Sequence, residues 1–324
     1  MYKIYYKLGR CYKLKIGLVL AGGGARGAYQ IGVWKALRKL DIDKYINSIS
    51  GTSIGGLNAM LFSQGNLELA EEVWLNIDIE KIFPTDHKDL LAKSLLLAIG
   101  SKNLNLIKKY IPKAINGGDI ARDGLIEIID KYLDFDKIRN NNKTCYAACS
   151  EIPKLEPKYF KINNYSNDDI KKILLATSAL PMIYESEHIE GKSYLDGGMT
   201  DNVPIQPVYG EDCDIIIVVP LELNFKVNRA LYPNSKIIEI TPSEMEEGFI
   251  DGALDFTKDN SIRRMKLGYE DTINQLRPIM DIALMIEENN KNKEIEKRKK
   301  KMFFNIIKEK LFGEKSKENN NRQA

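Results

Sequence analysis

Short apolar runs that end in glycine turns alternate with amphipathic stretches near the start of the chain. Residues 15–21 (KIGLVLA) predict a buried strand, and apolar residues then recur at helical spacing over 28–40. Residues 46–50 predict a second strand, which leads through a glycine turn into a helix over 54–64. Two successive strand–turn–helix units predict an α/β fold with a parallel sheet.

The remainder of the chain predicts a helical middle region, further strands and a helical C-terminal region. Helical spacing over 67–75, 90–99, 103–111 and 124–133 predicts a helical insertion or cap over the sheet. Strands are predicted at 145–150, 158–162, 187–189, 194–195, 214–219 and 237–241, and helix from 259 onward. We therefore predict an N-terminal extension (1–14), a main domain (15–245), a helical region that packs on or extends it (246–314) and a disordered tail (315–324).

The loop Gly22-Gly23-Gly24-Ala-Arg26-Gly27 follows the first strand and opens a helix, and two functional interpretations of it stay open. Gly22, Gly24 and Gly27 fit the dinucleotide-binding pattern G-x-G-x-x-G, and Asp41 and Asp43 lie where that pattern expects a ribose-binding acid. This pattern alone is weak evidence, because a plain strand-to-helix turn also satisfies it.

The second interpretation of the glycine loop is an oxyanion hole. Acyl transfer develops negative charge on a carbonyl oxygen, which backbone N–H groups stabilise, and glycines let such a backbone approach the substrate closely. The N-terminus of the following helix adds positive potential. Arg26 would fix the loop or add charge.

A serine lies in a glycine turn between the second strand and its helix. Gly51-Thr52-Ser53-Ile54-Gly55 matches G-x-S-x-G, the pattern of a nucleophile elbow. The sharp turn would hold the Ser53 hydroxyl clear of the backbone, and Gly51 and Gly55 would let the turn pack against neighbouring strands. A serine that merely caps the helix is the alternative. The strand–turn–helix context favours the nucleophile.

The base that would serve Ser53 is not a histidine in this interpretation. The chain contains two histidines, of which His87 lies in a polar loop and is expected to be solvated, and His188 lies in a short strand and is expected to be a surface or packing residue. The histidine comes last in α/β-hydrolase triads, and no histidine occurs in the 136 residues after His188. Asp196 stands at the end of a predicted strand, just before Gly197 and Gly198. Since strand ends build the sites of open α/β sheets, Asp196 is the candidate base, with an ordinary Asp-Gly turn as the alternative.

Taken together and in this order, residues 22–27, 51–55 and 196–198 resemble the three signatures of patatin-like phospholipases. Residues 176–181 (ATSALP) and 202–204 (NVP) resemble that family as well. The resemblance covers roughly 15–241. It implies a three-layer α/β/α fold with a mostly parallel sheet, Ser53 as nucleophile, Asp196 as base, and an oxyanion hole shaped by Gly22, Gly23, Gly24 and Arg26.

The resemblance further implies a serine-dependent lipid acyl hydrolase that acts through an acyl-enzyme. We expect a lipid or phospholipid ester as substrate, no cofactor and no metal, so that hydrolysis survives chelation. Two alternatives are retained: a nucleotide-binding oxidoreductase that uses the 22–27 loop, and a catalytically silent lipid-binding module. The first leaves the Ser53 and Asp196 motifs unexplained, and the intact motifs argue against the second.

Composition and charge bear on the cellular location of the protein and on its binding partners. The net charge of +3 over 324 residues gives no argument for nucleic acid. An N-terminus interrupted by charges and the absence of an apolar run of ~20 residues predict no secretory signal and no membrane span, and hence a cytoplasmic location. The segment 289–311 combines the basic run 297–301 with apolar residues at helical spacing. It predicts a helix that either contacts anionic membrane or packs on the main domain.

The four cysteines predict reduced, buried thiols. They are Cys11, Cys145, Cys149 and Cys213, and only Cys145 and Cys149 lie close in sequence. Four residues along a strand span about 13 Å, which is too far for a disulfide, and the spacing fits no zinc site.

Overall fold

The central feature of the fold is a mixed sheet, seen in a computed structural model that describes residues 6–7, 10–11, 14–77, 79–82, 84, 120–246, 248 and 252–312. Within these residues the sheet has eight strands, and a separate pair of short strands precedes it. Helices flank the sheet in a three-layer α/β/α arrangement, as expected. The chain divides into two units, Met1–Ile273 and Asn274–Ala324, and the sheet belongs to the first.

The bounds of the elements agree closely with the hydrophobic pattern. The strands are β1 (Tyr6–Lys7), β2 (Arg10–Cys11), β3 (Ile16–Leu20), β4 (Ile46–Thr52), β5 (Thr144–Ile152), β6 (Glu156–Lys161), β7 (Glu187–Ile189), β8 (Lys192–Asp196), β9 (Ile215–Val219) and β10 (Lys236–Glu239). The helices are α1 (Ala28–Lys39), α2 (Ile54–Gln64), α3 (Leu67–Asn76), α4 (Ile79–Ile82), α5 (Asp123–Tyr132), α6 (Phe135–Arg139), α7 (Asn167–Thr177), α8 (Ile205–Tyr209) and α9 (Lys258–Phe312).

The strand order is β10-β9-β3-β4-β5-β8-β7, with β6 paired to β5 as well. Adjacent strands from β10 to β5 run parallel, whereas β6, β7 and β8 pair antiparallel with their neighbours. The sequence pattern did not predict which strands would be antiparallel. The central strands are almost continuously apolar because helices cover both of their faces. Val19, Ile216 and Val218 pack with Ile205 and Val208 in one such layer.

Strand β5 receives two strand ends on one edge. Its first half pairs with β4 as far as Thr52 opposite Ala148, and its second half pairs with β8 from Asp196 opposite Cys149. Because β6 covers both halves from the other edge, β4 and β8 share an edge and meet end to end at consecutive residues of β5. The last residues of both strands are thereby brought together.

The helices predicted in the middle of the chain are confirmed in part. The helices predicted at 67–75 and 124–133 are confirmed as α3 and α5, whereas those at 90–99 and 103–111 lie outside the described residues. Helices α4, α6, α7 and α8 and strands β1 and β2 were not predicted. The domain boundaries stay predictions, and the tail 315–324 also lies outside the described residues. Cys145, Cys149 and Cys213 are free and buried, as expected.

Two glycines allow the start of α9 to pack directly on α1. A Cβ atom at Gly32 would lie 1.9 Å from the carbonyl oxygen of Met265, and one at Gly268 would lie 2.1 Å from that of Tyr29. Nearby, the Tyr29 hydroxyl donates to Asp271 Oδ2 over 3.1 Å, and the same oxygen accepts the Ser243 N–H. The first turns of α9 are therefore part of the core of the first unit.

We expect Gly32→Ala to lower the free energy of unfolding by about 3 kcal/mol, since the new methyl must push two backbones apart. Urea unfolding followed by circular dichroism measures the change. Gly210→Ala is the matched control: its methyl would meet nothing closer than 3.5 Å, and its effect should stay within about 1 kcal/mol. Equal effects of the two substitutions would contradict the close helix contact.

Candidate active site

Ser53 sits at the junction of β4 and α2 in a backbone conformation that few side chains adopt. Its φ of 55° and ψ of −126° produce a sharp turn between strand and helix. A Cβ atom at Gly55 would lie 2.2 Å from the Leu20 carbonyl oxygen, and one at Gly51 would lie 2.1 Å from that of Gly55. Only glycine fits at either position, so the pattern G-x-S-x-G has a packing reason here.

The backbone of the elbow leaves one N–H group available beside the serine. The Ser53 carbonyl accepts the N–H groups of Gly56 and Leu57, over 2.8 and 3.2 Å, and the Ser53 N–H donates to Thr177 Oγ1 over 2.9 Å. The Ile54 N–H has no acceptor within the described part of the chain. At the N-terminus of α2, it is the group that can stabilise an anion next to Ser53.

Asp196 ends β8 and is almost fully buried, with 3% of its surface exposed. Its Oδ1 accepts the Gly198 N–H over 2.7 Å, while Oδ2 is buried and has no hydrogen-bond partner in the described structure. Burial raises the pKa of Asp196 to about 6, against the opposing influence of the Ser53 hydroxyl and the Gly198 N–H. The Ser53 hydroxyl thus lies near enough to act on this pKa, although the two groups do not form a hydrogen bond of normal geometry.

The glycine loop offers two free N–H groups rather than three. The Gly22 N–H donates to the Asn202 carbonyl oxygen over 3.2 Å and is therefore occupied. The N–H groups of Gly23 and Gly24 have no acceptor among the described residues. Gly24 has a φ of 57°, and a Cβ atom there would lie 2.2 Å from the Ala253 carbonyl oxygen. The segment around Ala253 therefore holds this loop in place from the outside.

Arg26 ties the same loop to the chain that follows β9. Its Nη1 donates to the Leu221 carbonyl oxygen over 3.4 Å, and a Cβ atom at Gly23 would lie 2.8 Å from Leu221 Cδ1. A Cβ atom at Gly27 would meet Ile54 of α2 and Trp74 of α3, so the loop also packs on these two helices. Of the two roles considered for Arg26, this geometry favours fixing the loop.

The loop after Asp196 connects the elbow and the glycine loop. The Thr52 hydroxyl donates to the Asp201 carbonyl oxygen over 2.9 Å, and Asn202 Nδ2 donates to the Gly22 carbonyl oxygen over 3.3 Å. Asp201 is itself held by the Tyr159 hydroxyl over 2.6 Å. Asn202 was identified from the sequence only as part of the resemblance, and its two bonds to Gly22 could not be read from spacing.

The residues that the alternative interpretations needed have other contacts. Asp41 pairs with Lys44 over 2.8 Å, and Asp43 pairs with Arg38 over 3.1 Å, so both acids are engaged by neighbouring side chains. His188 is exposed on β7, where its Nε2 lies 2.9 Å from the Ser193 hydroxyl. His87 lies outside the described residues. Among those described, no group of histidine, cysteine and acidic side chains could hold a metal ion.

Comparison with known proteins identifies the family of the chain. The family model described as patatin-like phospholipase matches residues 18–209, more than half of the chain, and the protein belongs to this family. Lysophospholipase nte1 of Aspergillus terreus is 28% identical over 211 residues, which cover 63% of this chain and 12% of that protein. The chain thus corresponds to a small part of the length of this relative.

Two solved structures also match. VipD from Legionella pneumophila aligns with a TM-score of 0.48 at 16% identity, covering 83% of this chain and 67% of that one. Human GIVD cytosolic phospholipase A2, solved with methyl γ-linolenyl fluorophosphonate, aligns with a TM-score of 0.43 at 12% identity, covering 83% of this chain and 58% of that one.

The buried carboxylate of Asp196 should cost stability at neutral pH. Its folded-state pKa of about 6 lies above the unfolded value, so the folded state binds the extra proton and stability falls as pH rises from about 4 through 6. We expect Asp196→Asn to raise the free energy of unfolding by about 3 kcal/mol at pH 7.5 and to change it little at pH 4. Urea unfolding at the two pH values measures this.

Asp41→Asn is the control for this prediction. Asp41 is exposed, and its hydrogen bond with Lys44 lowers its pKa, so its removal should not stabilise the protein at pH 7.5. An Asp196→Asn variant no more stable than the wild type at pH 7.5 would mean that the buried carboxylate is compensated after all.

Proposed function

We propose that the protein is a serine-dependent lipid acyl hydrolase in which Ser53 is the nucleophile and Asp196 is the base. The observation that carries this proposal is the end-to-end meeting of β4 and β8 on β5, with Thr52 opposite Ala148 and Asp196 opposite Cys149. Membership of the patatin-like phospholipase family supports the reaction class. The name of the lysophospholipase relative supports a lipid ester as substrate.

In the first half of the reaction, Ser53 Oγ attacks the ester carbonyl carbon while Asp196 Oδ2 accepts the hydroxyl proton. The negative charge that develops on the carbonyl oxygen is stabilised by the free N–H groups of Gly23, Gly24 and Ile54. The bond to the leaving alcohol breaks, the alcohol takes the proton from Asp196, and the acyl group stays on Ser53. Water then attacks the acyl-enzyme while Asp196 accepts its proton, the bond from the acyl carbon to Ser53 Oγ breaks, Asp196 returns the proton to Ser53 Oγ, and the fatty acid leaves.

The environment of Asp196 suits a base that must work without a histidine. An exposed aspartate with a pKa of ~3.9 accepts protons poorly at neutral pH. Burial raises the pKa of Asp196 to about 6, which brings it closer to the working pH while leaving it largely ionised there. The free Oδ2 is the oxygen that would receive the proton, because Oδ1 is held by the Gly198 N–H.

We expect Ser53→Ala and Asp196→Asn each to lower kcat/KM for a medium-chain p-nitrophenyl ester by about 10³-fold or more. Circular dichroism checks the fold of both variants, and mass spectrometry after treatment with an alkyl fluorophosphonate locates the modified residue. Labelling of the wild type at Ser53 is the expected result. Retained activity in folded Ser53→Ala would remove the nucleophile and return the glycine loop to the nucleotide interpretation.

The pH profile should show one acidic limb that belongs to a carboxylate. Because Asp196 must be ionised to accept the proton, kcat/KM should fall as pH decreases through about 6. A histidine would produce a limb at a similar pH, so the midpoint alone does not identify the group. The double variant His87→Asn/His188→Asn should keep both the activity and the limb. A folded but inactive double variant would exclude the proposed dyad.

The C-terminal helix is proposed to contact the anionic lipid surface on which the substrate lies. Residues 289–311 are helical within α9, as predicted, and the basic run 297–301 is followed by exposed Met302, Phe303, Phe304 and Ile306. Apolar side chains beside a cluster of lysines suit the interface of an anionic bilayer. None of the described helices is long and apolar enough to cross a membrane. We propose a cytoplasmic protein that binds membrane peripherally.

Replacing the five basic residues 297–301 by glutamine should weaken binding to anionic phosphatidylserine vesicles at least tenfold, since each charge near such a surface contributes about 1 kcal/mol. Vesicle co-sedimentation measures binding, and zwitterionic vesicles are the control. Hydrolysis of the soluble p-nitrophenyl ester should be unchanged. Equal binding of the variant and the wild type to anionic vesicles would favour the alternative that this helix does not act at membranes.

A further inference from the structure

The end of helix α7 contacts both members of the proposed dyad. The hydroxyl of Thr177, the last residue of α7, accepts the Ser53 N–H over 2.9 Å. Two residues later, the Ala179 carbonyl oxygen accepts the Asp196 N–H over 2.9 Å. One short segment of chain is thus bonded to the backbone of the nucleophile and to the backbone of the base.

Thr177 occupies the point at which β4 leaves the sheet. The ladder between β4 and β5 ends with Thr52 opposite Ala148, and the next N–H along β4 is that of Ser53. This N–H donates to the Thr177 hydroxyl, which in turn donates to the Ala148 carbonyl oxygen. The hydroxyl therefore takes the place of a direct strand-to-strand hydrogen bond where the chain turns into the elbow.

The Thr177 hydroxyl bridges Ser53 and Ala148 at a position where the backbone is strained, because Ser53 has a positive φ. A non-glycine residue at positive φ costs on the order of 1–3 kcal/mol and persists only where its surroundings over-determine it. Gly51 and Gly55 leave room for the turn, but neither binds Ser53 through a hydrogen bond. Thr177 is fully buried, and its methyl group lies 3.2 Å from the position of a Cβ at Gly56, so its side chain is confined from two sides.

We propose that Thr177 is a positioning residue that fixes the Ser53 hydroxyl relative to Asp196. This inference rests on the proposed function, because it assumes that Ser53 attacks and that Asp196 accepts the proton. Without the hydroxyl, the Ser53 N–H and the Ala148 carbonyl each lose a partner inside the protein, and the elbow shifts to recover one. A displacement of about 1 Å between reacting groups can cost about 10²-fold in rate.

A buried threonine elsewhere in the first unit provides the comparison with a purely structural role. Thr272 is also fully buried, and its hydroxyl donates to the Gly268 carbonyl oxygen one turn earlier in α9. Replacing it by valine removes one buried hydrogen bond without touching the elbow. The stability cost of Thr272→Val should resemble that of Thr177→Val, whereas its effect on Ser53 should be absent.

The test measures kcat and KM for the p-nitrophenyl ester and the second-order rate at which an alkyl fluorophosphonate modifies Ser53. In Thr177→Val and Thr177→Ala, we expect kcat and the modification rate to fall by about 10- to 100-fold with KM within twofold of the wild type. Thr177→Ser, which keeps the hydroxyl, should stay within threefold. Thr272→Val should match the wild type in all three quantities.

A modification rate in folded Thr177→Val within threefold of the wild type would overturn the proposal. Should Thr177→Val fail to fold, Thr177→Ala and Thr177→Ser decide the question, since these two variants differ only in the hydroxyl, and equal rates in them would overturn the proposal equally. Failure of the fluorophosphonate to modify Ser53 in the wild type would instead contradict the proposed function. The two failures are therefore distinguishable.

Discussion

The geometry of the site depends on a single constraint, the pairing of two different strands with one edge of β5. Parallel β4 and antiparallel β8 approach each other along this edge until Thr52 and Asp196 lie opposite consecutive residues. The burial of side chains on each strand fixes this register, because slipping either strand by one residue would turn its buried side chains to the other face. The serine that follows Thr52 and the carboxylate of Asp196 are consequently held together by the sheet itself, and loops only refine their separation.

The loops around this junction are hydrogen-bonded to one another. The chain after Asp196 accepts the Thr52 hydroxyl at Asp201 and bonds to Gly22 through Asn202, so the elbow, the acid and the glycine loop are linked. One buried side-chain atom at this junction, Asp196 Oδ2, has no hydrogen-bond partner among the described residues. Leaving a buried polar group without a partner costs free energy, which is consistent with the raised pKa of Asp196.

The sequence was sufficient for most of the fold and for singling out Ser53 and Asp196 as candidates, but not for the groups that surround them. Apolar runs and helical periodicity located the eight strands of the main sheet and α1, α2 and α3 within a few residues, but not β1 and β2. They missed α7, which starts with polar residues and ends in a motif noted only for its resemblance, and Thr177 was missed with it. The antiparallel pairing of β8 with β5 could not be predicted either, because the partner of a strand depends on distant parts of the chain and a local pattern does not encode it. The occupied Gly22 N–H depends on Asn202, a residue far along the chain, and could not be foreseen either.

The close packing of α1 and α9 at Gly32 and Gly268 bears on where this folding unit ends. The family match stops at residue 209. Helix α1, which follows the glycine loop, nevertheless packs against the backbone of α9 at Met265, some 60 residues beyond that boundary. Tyr29 and Asp271 add a buried polar link at the same crossing. An expression fragment trimmed to the family boundary would expose the apolar side of α1 and leave the Tyr29 hydroxyl without its acceptor. A self-sufficient fragment of this folding unit must therefore extend at least through the first turns of α9.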